Sequence, residues 1–229
     1  MHLTPAESEA LYLSLSVAAR SVLVSLPFAI LLAWLLTRRQ FLGRTVLDAF
    51  VHLPLVLPPV VVGYLLLLLF GTRGPIGGWL ERAFGVELIF TRNGAALATA
   101  VMSFPLMVRA MRISLESIDR GLEDAAKTLG AGAIDRFLSI TLPLMLPGVL
   151  AGAITAFSAA LGEFGAVITF VSNIPGETRT LPLALYSALQ TPGGDSAAAR
   201  LAIISCVLGF GGILLAEWFA RRVRRLLGR

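Results

Sequence analysis

An all-helical integral membrane protein is the fold class this sequence predicts, and three observations lead there. Of the 229 residues, 56% are hydrophobic and only 14% are charged, with a mean hydropathy of +0.82. A soluble domain needs about 25% charged residues to cover its surface, so much of this one must face lipid or apolar neighbours. Apolar runs long enough to cross a bilayer recur along the chain. The net charge of +5 gathers at the ends of those runs rather than along a polar face, which argues against a nucleic-acid-binding surface.

Five spans are expected in a single domain of 229 residues, over about 11–36, 53–70, 94–111, 144–171 and 197–219. Ahead of the first, Thr4, Pro5 and Glu7 form a T-x-x-E capping box with proline at the first helical position. No basic stretch precedes it, so a retained helix is expected rather than a cleaved signal peptide. The second span is the least regular, because Pro54, Pro58 and Pro59 remove backbone donors near its start. Its helix is expected to begin only near Pro58. The lone cysteine, Cys206, permits no intrachain disulfide and reads as a buried small hydrophobe. His2 and His52 are isolated, without metal-ligand spacing.

Orientation follows from the basic residues. The segments after spans one, three and five hold 13 of the 19 arginines and lysines, Arg38, Arg39, Arg44, Arg109, Arg112 and Arg136 among them. The opposite side holds five: Arg73, Arg82, Arg92, Arg179 and Arg200. Cytoplasmic segments carry the excess, so the N-terminus is expected outside and the C-terminus in the cytoplasm. Trp34, Trp79 and Trp218 fall near the expected interfaces. Glu217 and Arg221 make an i,i+4 pair at the cytoplasmic edge.

The loop over 112–143 is then cytoplasmic, and it is unusual. In EDAAKTLGAGAIDRFLSITLP, residues Leu122, Ala125, Ala126 and Leu129 recur at helical spacing, giving a narrow apolar stripe on a short helix. Gly130 and Gly132 end that helix, and a second short helix, AIDRFLSI, follows before Leu142 and Pro143 close the unit. Gly130-Ala-Gly132 lacks the third glycine and the preceding strand of a dinucleotide site.

DAAKTLG, nine residues, then ITLP resembles the EAA loop of binding-protein-dependent ABC importer permeases, whose pattern is E-A-A, three residues, G, nine residues, I-x-L-P. Ala125, Ala126, Gly130, Ile140, Leu142 and Pro143 fall on the pattern, and Asp124 stands at the glutamate position with Glu123 one residue earlier. Either carboxylate could make the usual polar contact. HLPLVLPPVVVGYLLL, VMSFPLMVRAMR, LGEFGAVITFVSNIPGETRTLPLALY and QTPGG are similar to the molybdate permeases in particular, and sulfate permeases share parts of these segments. The resemblance implies an inner-membrane permease homodimer, a pair of ABC ATPase subunits seated on the loop's coupling helices, and a periplasmic molybdate-binding protein that delivers the anion. No G-x-x-x-x-G-K-[ST] occurs, so ATP would be hydrolysed by another polypeptide. Neither a catalytic cluster nor a cofactor motif is seen.

Two ionisable residues fall within expected spans, where such groups face a cavity or a partner. Taking about 1.5 Å per helical residue, Glu163 lies roughly 12 Å below the outer end of its span and Arg20 roughly 14 Å below its own. An Arg20–Glu163 pair is therefore expected, as a structural contact or as part of an outer gate, with Gly162 and Gly165 permitting close helix packing. Between spans four and five, residues 181–189 are too short to cross and form an interfacial helix or a re-entrant element. Thr178 and Arg179 beside them either attract an oxyanion or contact the binding protein, or belong to a solvated loop. The rivals are a permease for another oxyanion such as sulfate, and a gradient-driven secondary transporter that uses Glu163 as a proton site.

Overall fold

In the computed structural model, which describes residues 3–226, the described residues form eleven α-helices. These are α1 (Pro5–Arg38), α2 (Arg44–His52), α3 (Pro59–Phe70), α4 (Gly77–Phe84), α5 (Arg92–Glu116) and α6 (Arg120–Thr128), then α7 (Ala133–Arg136), α8 (Leu142–Leu161), α9 (Gly165–Val171), α10 (Leu181–Leu189) and α11 (Asp195–Leu226). Among the described residues, four stretches are long and apolar enough to cross a membrane: Pro5–Arg38, Arg92–Glu116, Ala133–Leu161 and Asp195–Phe219. A fifth exists only if the bent pair Arg44–Leu55 and Pro59–Phe70, at 113°, counts as one span. His2 and Arg229 lie outside the described residues.

α1 starts where its sequence predicts. The Thr4 hydroxyl accepts from the Glu7 N–H, and the Glu7 carboxylate accepts from the Thr4 N–H at 2.7 Å, closing the capping box. α1 and α5 run parallel, since Arg20 bonds Asn93 near one end and Arg38 bonds the Ile118 carbonyl at the other. α8 returns antiparallel to α5. A side chain at Gly148 would overlap Ser114, and a Cβ at Gly152 would lie 3.1 Å from the Met107 carbonyl oxygen. Small residues let helices approach closely where lipid gives no hydrophobic drive between them. The core on this half contains Ala29, Leu36, Met107, Met111, Leu115 and Met145, all fully buried.

Three expectations change here. The second span begins as a helix at Pro59, but the residues ahead of it fold into the separate helix α2 and a 3₁₀ turn at Leu53–Leu55. The fourth span does not continue to 171: α8 stops at Leu161, and α9 restarts at Gly165 after a three-residue break. α9 runs parallel to α3, seated where Gly63 leaves room for the Ala166 backbone 2.7 Å from a would-be Cβ. Cys206 is exposed, not buried, because α11 turns a broad apolar face outward, including Ile203, Val207, Phe210 and Ile213 at 51–66% exposure. In a membrane an apolar side chain can face lipid as readily as a core.

Candidate functional site

The loop over 112–143 forms a hinged lever at the end of the bundle where α1 finishes. α5 extends through its first residues to Glu116. Asp119 caps α6, its carboxylate accepting from the Gly121 N–H at 2.9 Å. α6 ends in a Schellman motif: the Ala131 N–H donates to the Ala126 carbonyl and the Gly130 N–H to the Lys127 carbonyl, both at 3.0 Å. That closure needs Gly130 at φ +89°, left-handed backbone where a side chain is strained. Gly132 then caps α7, and the Arg136 guanidinium holds the hinge by donating to the Ala131 carbonyl at 2.7 Å.

Beyond the hinge the lever does not close at Leu142 and Pro143. α7 passes through a π turn, Phe137–Thr141, straight into α8. Pro143, the second residue of α8, removes one donor from the helical ladder directly after the π turn, where the Leu142 N–H bonds the Phe137 carbonyl. The lever is thus rigidly continuous with the span that follows it. Ile140 lies inside the π turn.

No residue of α6 is buried. Leu122 is 47% exposed, Leu129 88%, and Ile134 and Leu138 on the second arm 76% and 55%. Ala125 is exposed beside them and Ala126 partly so. The amphipathic pattern that makes a helix normally turns its apolar stripe into the core; here it faces away from the bundle. Such a patch marks an interaction surface. The carboxylates divide. Asp124 is exposed, whereas Glu123 turns inward, 3.1 Å from Arg38 Nη2 and accepting from the Thr141 hydroxyl at 2.9 Å. Arg38 counted in the sequence only as a basic residue flanking span one, and Thr141 carried no signal. Trp34 lies edge-on to Phe137 and beneath Arg39, bracing the second arm.

The gate candidates separate in space. Arg20 is exposed and donates to Asn93 Oδ1 at 3.1 Å. Glu163 lies in the break between α8 and α9, where its carboxylate accepts from the Ala166 N–H at 2.9 Å. The expected Arg20–Glu163 pair is not formed. Depth counted along each helix put them level, but α9 restarts inside the span and uses Glu163 locally, while Arg20 stands level with the first turn of α5. Gly165 permits close packing, with a would-be Cβ 2.7 Å from Pro59; Gly162 does not, with only its own helix nearby.

Thr178 and Arg179 lie in a loop that folds back on itself. Thr178 is fully buried; its hydroxyl accepts from the Ile174 N–H and donates to the Ser172 carbonyl. Arg179 Nε donates to Asn173 Oδ1 at 2.9 Å. Both hold the loop's own shape, Thr178 through its hydroxyl and Arg179 through Nε. α10 follows as a wedge, Leu181 and Leu183 buried, with the Leu181 N–H donating to Ser14 of α1 at 2.6 Å.

Comparison with known proteins matches this architecture. Residues 25–225 fit the family model of the binding-protein-dependent transport system inner membrane component. The molybdenum transport system permease protein ModB of Escherichia coli (strain K12) is 58% identical over 229 residues, covering all of both chains. The sulfate transport system permease protein CysT of the same organism is 39% identical over 199 residues, 86% of this chain and 72% of that one. Among solved structures, a bacterial ABC transporter that imports the acidic polysaccharide alginate superposes with a TM-score of 0.75 at 20% identity, covering 96% of this chain and 80% of that one. That identity speaks for the fold alone. With a model match over most of its length and a relative similar from end to end, the chain belongs to the family of binding-protein-dependent transport system inner membrane components: it is a membrane transport subunit, not an enzyme.

Proposed function

We propose that this chain is the membrane-spanning permease of an ATP-driven molybdate importer in the inner membrane. The N-terminus lies outside, the C-terminus lies in the cytoplasm, and the α6–α7 lever docks on an ATPase subunit. Two copies of the chain pair in the bilayer, each with its own ATPase, and a periplasmic binding protein delivers the anion. One observation carries the mechanism: the lever presents its apolar stripe, Leu122, Leu129, Ile134 and Leu138, away from the bundle. An exposed apolar patch on a short polar helix pair marks an interaction surface, and a partner that covers it is the reading we adopt. The cargo rests on the end-to-end similarity to a molybdenum permease.

Motion of the ATPase would swing α6 about the Gly130 hinge, and the unbroken path from α7 into α8 would carry that motion into the span. α3 and α9, whose first turns meet where Gly165 packs on Pro59, are the elements such a shift would part or close. The test is reconstitution in proteoliposomes with the ATPase and the binding protein. ATP-dependent molybdate uptake, outcompeted poorly by sulfate, is the expected result. Sulfate uptake at equal or greater rate would reassign the cargo. Uptake driven by an ion gradient without the ATPase would overturn the reading.

A further inference from the structure

Among the lever's side chains, Glu123 has surroundings that docking does not explain. α6 contributes nothing to the core, so its attachment to the bundle depends on its two chain ends and on polar ties. Glu123 gathers three segments on one carboxylate oxygen. Oε1 lies 3.1 Å from Arg38 Nη2 at the end of α1, and the same oxygen accepts from Thr141 Oγ1 at 2.9 Å in the π turn. The Arg38 side chain is only 7% exposed, and its other contact through Nη2 is the Ile118 carbonyl at 3.5 Å. Its Nε has no hydrogen-bond partner among the described residues, so the charge of the guanidinium depends on Glu123 for compensation. A buried arginine that loses its one carboxylate keeps its desolvation cost without its attraction.

We propose that Glu123 is a positioning residue that locks the lever to α1, so that the stroke entering α6 moves the first helix together with α8. Chain connectivity joins the lever to α5 and α8, and Trp34 of α1 touches Phe137 on its second arm, but α6 meets α1 through Arg38. α1 begins at the opposite end of the protein and is 34 residues long. Through Arg38 it becomes a rod that takes motion from the lever to the far face. The two neighbouring carboxylates then have separate duties, Asp124 facing outward and Glu123 binding inward.

The inference rests on α6 being the docking helix, and the experiment keeps the two apart. Glu123→Gln, Arg38→Gln and the double variant are assembled with the ATPase in proteoliposomes. ATPase-subunit affinity and the ratio of molybdate transported to ATP hydrolysed are measured on the same preparations. Each single variant should lower that ratio about tenfold while subunit affinity stays within about twofold, and the double variant should be no worse than either single one, as for residues acting through each other. Glu123→Gln keeps the acceptor for Thr141 and lies at a partly exposed position, so it remains foldable if Arg38→Gln does not. An unchanged ratio in Glu123→Gln overturns the proposal. So does a fall in affinity parallel to the fall in ratio, which would make Glu123 part of the docking shape. Leu129→Asp tests the docking reading alone: if the ATPase binds it as tightly as it binds the unaltered chain, α6 is not the docking helix, whatever the pair does.

Discussion

Where α1 begins, Glu7 is 4% exposed and lies 2.8 Å from Arg200 at the start of α11. Nearby, Ser14 of α1 holds the start of α10, Thr178 is fully buried, and Arg92 ties the start of α5 to Glu177 and the Gly176 carbonyl. Buried Glu7 and Ser14 tie α1 to α11 and α10, and the more exposed Arg92–Glu177 pair ties α5 to the loop ahead of α10. At the other end the lever leaves four large apolar side chains uncovered and is tied back through Glu123. One end turns buried polar side chains onto the bundle itself; the other leaves the apolar stripe of its two short helices exposed. The same kind of substitution should therefore have opposite consequences at the two ends, in folding at one and in assembly at the other.

The largest effect is expected from Leu183→Asp at the closed end, where a buried and unpaired carboxylate costs about 4 kcal/mol or more. Size-exclusion chromatography of the detergent-extracted protein should show little folded material, and a normal yield would break the contrast. Leu129→Asp, the same change on the lever, should leave the thermal midpoint unaltered but weaken ATPase binding roughly 30-fold, about 2 kcal/mol for a central apolar contact. A titration with the purified ATPase reads that directly. Glu7→Gln should lower stability by about 2 kcal/mol, because the Arg200 guanidinium loses a charge-assisted partner. For a chain of this size that is a midpoint lower by roughly 4–8 °C, with the ratio of transport to hydrolysis preserved in the molecules that fold. A changed ratio would mean that the closed end also takes part in coupling.

Gly130→Ala sharpens the comparison at the lever, since φ +89° strains any side chain by about 1 kcal/mol. Subunit affinity should fall about fivefold, with the global midpoint unmoved. The smallest effect belongs to Arg20→Gln. An exposed arginine with one neutral acceptor should contribute less than about 0.5 kcal/mol, and uptake should be near normal. A large loss of uptake would return Arg20 to the gate.

Much of the molecule was legible in the residue order. The spans follow from apolar run length, the start of α1 from Thr4, Pro5 and Glu7, the late start of α3 from Pro58 and Pro59, and the lever from its charge, its stripe and its glycine. Each of these signals is local, acting within a few turns of chain, and hydropathy and backbone stereochemistry act at that range.

Tertiary structure decided what meets what. Arg20 and Glu163 looked like partners because their depths along two helices agreed, yet depth fixes only one coordinate. The rotation of each helix, and the break at Gly162–Phe164, sent Arg20 to Asn93 and Glu163 to the start of α9. Thr178 and Arg179 were open to an anion, to a binding protein or to solvent, and the fold of the loop buried Thr178 and bonded Arg179 Nε to Asn173. Arg38 and Glu123 are 85 positions apart, and no periodicity links them. The residue order alone was enough to mark the long apolar helices and the short polar one between them, because those depend on each segment's own backbone and solvent. Only the packed bundle decided the polar pairs, because a pair depends on the relative rotation of two helices, which the burial of many other side chains fixes together.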